Sequence, residues 1–228
     1  MELATYSDSA SLYRARGGDV NLYRPLFTGD VFRDIGIPGL PGTGLALVIA
    51  HPCSFRGGEG RLGPTVLVAR VQTVAKEGAS AWASRFYDKM PLPDLDGPGY
   101  WAGLFDSIGL ATSEALLADE RVACLSDFGV NMLQQRLTCS LTRAKIPTQE
   151  FNRAFSHTYE EAELLEDWTS ELCGAGDNRA EAERSFDEFM REGDPSRRKL
   201  LEDPQHRHAV RQECRKQIAY RLGRGQTT

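Results

Sequence analysis

Residues 45–74, LALVIAHPCSFRGGEGRLGPTVLVARVQTV, decide how the first half of this chain is read. Leu45 to Ala50 is a short apolar run that stops at His51-Pro52, the pattern of a buried strand. Thr65 to Val74 is rich in β-branched residues and predicts a second strand. Between them lies a glycine-rich loop, Arg56-Gly57-Gly58-Glu59-Gly60-Arg61-Leu62-Gly63-Pro64. Strand, glycine-rich loop, strand favours an antiparallel meander, because parallel pairing calls for a crossover that is usually a helix.

Upstream, Gly29-Asp30 introduces Val31 to Ile35, whose apolar residues alternate imperfectly, and Gly36 to Gly44 carries four glycines and two prolines and is a loop. Val20 to Phe27, interrupted by Pro25, suits an edge or irregular strand. Downstream, residues 76–112 hold Trp82, Phe86, Tyr87, Tyr100, Trp101 and Phe105 among Pro91, Pro93 and Pro98. Such a density of rings either plugs the open end of a small barrel or forms a partner surface, and the core reading is favoured because large aromatics dominate burial.

From residue 126 the period changes. Ser126 is an N-cap candidate, followed by Val130, Leu133, Leu137 and Leu141 at steps of three or four. Pro147 separates this helix from the next. Thr158 to Glu161 has capping-box spacing before Ala162, Leu165, Trp168 and Leu172, with Gly174 as the stop. Asn178 caps a helix with Phe186, Phe189 and Met190, and Asp203-Pro204 starts a last one with Val210, Cys214 and Ile218, ending at Gly223. The expected class is α+β: a small antiparallel β-rich domain over residues 1–112 and a helical region over 113–228.

The 228 residues carry a formal net charge of −5, unevenly distributed. Residues 150–194 hold 14 acidic and 4 basic side chains, and residues 196–228 hold 9 basic and 3 acidic. The basic tail either extends a phosphate-binding surface or packs against the acidic segment before it, and the second is preferred. No run approaches the ~18 apolar residues of a membrane span. The N-terminus lacks a signal-peptide pattern, and the five cysteines are odd in number and widely spaced, so a cytoplasmic protein with no structural zinc, no cofactor and no membrane partner is expected.

The polar cluster His51 to Gly58 sits where a buried strand meets the glycine-rich loop, a place where small barrels put sites. A Cys53–His51 nucleophile and base pair is geometrically poor two residues apart on one strand. The structural reading has Cys53 packed inward and Ser54 capping a turn. Arg56 and Arg61 flank a loop whose backbone can approach a phosphate, although no Walker A lysine and no GxGxxG are present. The alternative is a plain hairpin loop. His206 and His208 diverge on a helical wheel, and His157 reads as a surface residue.

The order Gly29-Asp30-Val31-Phe32, loop, Leu45 to Ala50, polar turn, Val66 to Thr73 resembles the MazF/PemK family, over about 45 residues. The resemblance implies an SH3-like β-barrel, usually dimeric, and a metal-independent endoribonuclease toxin that uses an arginine and a threonine or serine. Gly42-Thr43-Gly44 stands where the family has Arg-Pro, so Arg56 would supply the arginine from the other end of the strand.

Two readings follow. In the first, the chain binds or cleaves RNA without a metal: His51 is the base, Arg56 and Thr73 complete the catalytic set, and Ser54, Arg61 and Arg70 bind substrate. In the second, the barrel is a non-enzymatic scaffold, and the charged helices contact themselves, a second copy or a protein partner such as an antitoxin. A cysteine hydrolase built on Cys53 is a distant third.

Overall fold

In the computed structural model, which describes residues 2–57, 62–118 and 120–224, the strand expected at Thr65 to Val74 is the centre of a sheet. This strand, β4 (Thr65–Thr73), begins with strict alternation, Thr65 and Leu67 outward and Val66 and Val68 inward. It then buries Ala69, Arg70 and Val71 in succession, as a strand covered on both faces does. Antiparallel to it run β3 (Thr43–Val48), with Val48 opposite Val68, and β6 (Trp101–Thr112), with Leu67 opposite Leu110. The antiparallel meander and the α+β class expected from sequence are both present.

Four further strands complete the sheet: β1 (Tyr13–Arg16), β2 (Asp30–Gly36), β5 (Lys89–Pro91) and β7 (Arg121–Leu125). The order is β1-β7-β2-β3-β4-β6-β5, antiparallel throughout. Its hydrogen-bonded ladder is open, since β1 and β5 are not paired with each other. Side chains of β1 nevertheless reach the chain leaving β5: the Tyr13 hydroxyl donates to Pro93 O at 2.9 Å, and Arg16 Nη1 donates to Asp94 O at 2.7 Å.

The Gly29-Asp30 pair has a physical explanation. Gly29 holds φ +87°, and a Cβ there would lie 2.8 Å from Leu125 Cβ, so only glycine fits between β2 and β7. Asp30 is fully buried. Its carboxylate accepts from Phe27 N at 2.9 Å and lies 3.4 Å from Arg121 Nε, and the Arg121 guanidinium sits 5.2 Å from the Phe32 ring centroid.

Several expectations are corrected. Val20 to Phe27 forms no strand; Pro25 lacks a donor, and the chain passes there in irregular backbone. The end of β3 does not run on through Cys53. His51 instead N-caps α1 (Pro52–Phe55), which has proline in its first turn, and Pro52 and Phe55 are the buried residues. Cys53 is therefore exposed rather than packed inward, and the cap is His51 rather than Ser54. Of the aromatics in 76–112, Trp82 and Phe105 are buried while Tyr100 is 37% exposed, so that stretch serves both as core and as surface.

Among the helices, α2 (Ala79–Ser84) and α3 (Ser113–Ala118) are short, and α4 (Asp127–Thr142) starts at Ser126, whose hydroxyl accepts from Gly129 N. Its inward face includes Val130 and Leu133 of the expected stripe but departs from it further on. Leu141 is 70% exposed, whereas Gln135 and Arg136 are buried. Gln135 accepts from Ala4 N and donates to Ile146 O, and Arg136 donates to Ala4 O, Trp82 O and Phe86 O. With no carboxylate among these partners, burial pushes the Arg136 pKa down to about 10.

The helix α5 (Thr148–Gly174) begins directly after Pro147 and runs unbroken through Thr158, so the capping-box spacing at Thr158 marks no boundary. The remaining helices, α6 (Arg179–Arg191), α7 (Arg197–Glu202) and α8 (Pro204–Arg221), start at Asn178, Ser196 and Asp203, each side chain accepting a backbone N–H. The described residues divide into two compact units, one comprising 2–21, 26–57 and 62–154, the other 22–25 with 155–224. The first has a core of Leu26, Phe32, Ile35, Val48, Phe55, Val66 and Val68. The second has its own around Trp168, Phe186, Phe189, Met190, Val210 and Cys214.

Breaking the buried Asp30–Arg121 pair from one side strands the other charge. Asp30→Ala is expected to cost about 3–5 kcal/mol, and an Asp30→Ala/Arg121→Met double substitution to recover a large part of it, measured by urea unfolding.

Candidate functional site

The residues proposed from sequence fall into two groups at opposite ends of β4. His51, Ser54 and Arg56 surround α1, where Ile49 N and Ala50 N donate to Leu67 O near the start of β4. Thr73 closes β4 six residues later, which at ~3.3 Å per residue is about 20 Å away. His51 and Arg56 thus do not meet Thr73. Arg61 lies outside the described residues.

At the first end, His51 Nδ1 accepts from Cys53 N at 3.3 Å, a helix-capping bond that makes Nε2 the protonated nitrogen of the neutral ring, and Nε2 is shielded from solvent. A ring held this way has its acceptor nitrogen engaged in the cap. Arg56 Nη2 donates to Leu26 O at 3.1 Å, and Ser54 is exposed with its backbone N–H bonded to His51 O.

At the second end, Arg70 is 5% exposed and turns toward the loop between β2 and β3. Its Nη2 donates to Gly42 O at 3.0 Å and its Nη1 to Ile35 O at 3.4 Å. A Cβ on Gly44 would stand 2.5 Å from Nη1, so the glycine at 44 makes room for this side chain. Arg70 therefore reaches the loop from β4 and orders it.

Beside this end, Thr73 is exposed opposite Trp101, and Val74 N donates to Tyr100 O. Lys76 is fully exposed, and its Nζ lies 5.4 Å from the Tyr100 ring centroid. A hydrogen bond to the Tyr100 hydroxyl raises the lysine pKa, keeping it a cation. The Tyr6 phenol is half-buried close by, and burial followed by the Asp94 carboxylate and Tyr100 raises its pKa. Arg16, Gly17 and the loop Asp94 to Pro98 line an open cavity of about 400 Å³ at the seam where the sheet edges approach. Two more cations rest on exposed-side rings of this unit, Lys89 at 5.5 Å from Phe86 and Arg143 at 4.3 Å from Tyr87. Sequence reading singled out neither Lys76 nor Tyr100; the signal was the aromatic stretch itself, read mainly as core.

This arrangement suits binding: a cation beside an exposed ring, and a threonine hydroxyl at a strand end. Among the described residues no group of three His, Cys, Asp or Glu is arranged to hold a metal ion, and no helix is long and apolar enough to cross a membrane.

In the helical unit the basic tail is paired with the acidic helices. Arg211 pairs with Glu160 and Glu163, Arg198 with Glu161 and Asp187, Arg197 with Glu192 and Glu213, and Arg224 with Glu171. Arg207 donates to Ser156 Oγ and Leu201 O, and Arg221 lies 5.3 Å from the Trp168 ring centroid. Each exposed pair contributes little stability, on the order of 0–1 kcal/mol. Together they occupy most of the cations that would otherwise face a phosphate. A comparison with protein-family models and with the curated proteins finds no match to this chain.

Asp167 is the carboxylate that does not gain from this network. Burial first, then Glu166 and Glu163, raise its pKa, against the opposing pull of Arg215 and Arg211. The folded state therefore holds this proton more tightly than the unfolded chain, and stability is lost as pH rises through the carboxylate range. Asp167→Asn is expected to raise the thermal midpoint near pH 7 and to have almost no effect at about pH 3, measured by circular dichroism.

Proposed function

We propose that this chain is a MazF/PemK-like, toxin-like RNA-binding protein whose first unit is an SH3-like barrel, and that it binds single-stranded RNA at the C-terminal end of β4. The observation that carries the reading is the exposed Lys76–Tyr100 pair next to Thr73. An aromatic ring accepts a base by stacking, and the adjacent ammonium attracts the phosphates, which is how single strands are held without sequence readout. The barrel reading is supported by the meander β2-β3-β4-β6, by β7 returning beside β2, and by Tyr13 and Arg16 spanning from one sheet edge to the chain leaving the other.

The reading is of binding rather than cleavage. His51 and Arg56 stand at the far end of β4 from Thr73, and Arg70 is engaged with backbone carbonyls. A homodimer and an antitoxin-like protein partner belong to the same proposal. The helical unit is the part assigned to protein contact, since Arg198, Arg211 and Arg224 are already paired with carboxylates within it.

The test is fluorescence anisotropy with a labelled single-stranded RNA. Binding is expected to weaken steeply between about 50 and 200 mM salt. Lys76→Ala/Tyr100→Ala should weaken it by at least about tenfold. Wild-type affinity in the double variant, or no binding by the wild type, overturns the proposal. In a parallel incubation without divalent metal, neither the wild type nor His51→Ala/Arg56→Ala is expected to cut the RNA. Cleavage by the wild type that disappears in that variant would return the reaction to the corner around α1.

A further inference from the structure

Residues 22–25 carry no regular secondary structure, and on either side of them the chain belongs to the sheet-bearing unit: Leu26 is 1% exposed in its core. The four residues themselves are held by helices. Arg179 Nη1 donates to Leu22 O at 3.1 Å, Thr169 Oγ1 to Tyr23 O at 3.1 Å, and Arg179 Nη2 to Arg24 O at 3.2 Å. Three successive carbonyls thus accept from α5 and α6. The Arg24 side chain meets Glu166 at 3.1 Å in a pair whose side chains are only 6% and 10% exposed.

We infer that Leu22–Pro25 is a strap that makes the folding of the helical unit conditional on the chain between β1 and β2, so that helices α5–α8 are not an autonomous domain. Glu166 and Thr169 are buried polar groups, and a buried polar group needs its partner to be tolerated there. For Glu166 the cation comes from Arg24, more than a hundred residues earlier in sequence. The single Thr169 hydroxyl proton is shared among Tyr23 O and, within its own helix, Leu165 O and Glu166 O, so its contact with Tyr23 O ties down the strap more than it completes the helix. Arg179 acts from the other side, clamping two strap carbonyls while its Nε pairs with Glu183. The four interactions share a short segment and therefore form and break together. The helical unit is expected to open as one cooperative group when the strap is released.

The experiment is amide hydrogen exchange with mass spectrometry on the full chain, comparing peptides of α5 and α6 with peptides of β3 and β4. Arg24→Ala should speed exchange across α5 and α6 by more than about tenfold and leave β3 and β4 within about twofold of wild type. An Arg24→Met/Glu166→Met double substitution, which removes both charges, should recover a large part of the protection. Arg179→Gln, which keeps the Arg24–Glu166 pair, should give a smaller effect in the same peptides. Unchanged exchange in α5 and α6 for both Arg24→Ala and Arg179→Gln overturns the strap. So does Arg24→Ala acceleration of equal size in the sheet peptides, which would mark a general loss of stability.

Discussion

A fully buried carboxylate at the start of a central strand has to be paired, and the pairing of Asp30 with Arg121 organises the first unit. Asp30 begins β2 and Arg121 begins β7, so the pair ties together two strands that lie far apart in sequence and adjacent in the sheet. Gly29 permits the approach by keeping a Cβ away from Leu125, and its N–H and carbonyl join β3 and β7 at once through Val48 O and Leu125 N. From that junction β3 and β4 follow by local meander.

Arginine plays a second part throughout the molecule. Arg16, Arg56, Arg70, Arg136, Arg179 and Arg207 all donate to backbone carbonyls. The guanidinium is well suited to this: it is planar, permanently charged and carries five donors in a fixed fork. An arginine near a glycine-rich loop reads on paper as a phosphate clamp; Arg56 instead donates to Leu26 O, and Arg70 holds Gly42 O in the loop between β2 and β3. Lys76, a point charge on a flexible stem, faces solvent beside the Tyr100 ring at the other end of β4 from α1.

Legibility tracked the range of the interactions. The strand at Thr65, the helix starts at Ser126, Asn178 and Asp203, and the stripes through Trp168, Phe186 and Val210 were readable because each depends on neighbours within a few residues. Strands β1, β6 and β7 were not, since a four- or five-residue strand has too few residues to display a period, and β6 changes register near Ala69 of its partner. The inward face of α4 is legible at Val130 and Leu133 but not beyond, for a related reason: Gln135 and Arg136 are polar by type, and partners at Ala4, Trp82, Phe86 and Ile146 make their burial acceptable. At the candidate site, Thr73 and Arg70 were visible as residues, but the distance between Thr73 and His51 is set by strand length and pairing.

The sequence by itself determined the α+β class, the antiparallel hairpin centred on residues 45–74, and the helix starts at Ser126, Asn178 and Asp203, because propensity, turn chemistry and hydrophobic period act locally. It also contained the acidic and basic blocks whose opposite signs invite pairing. Only the tertiary structure decided which charges are paired, which arginines hold carbonyls, that His51 caps a helix, and that residues 22–25 are anchored by α5 and α6. Those outcomes rest on contacts between residues up to 157 positions apart, and no local pattern in the chain encodes the geometry that brings them within hydrogen-bond reach.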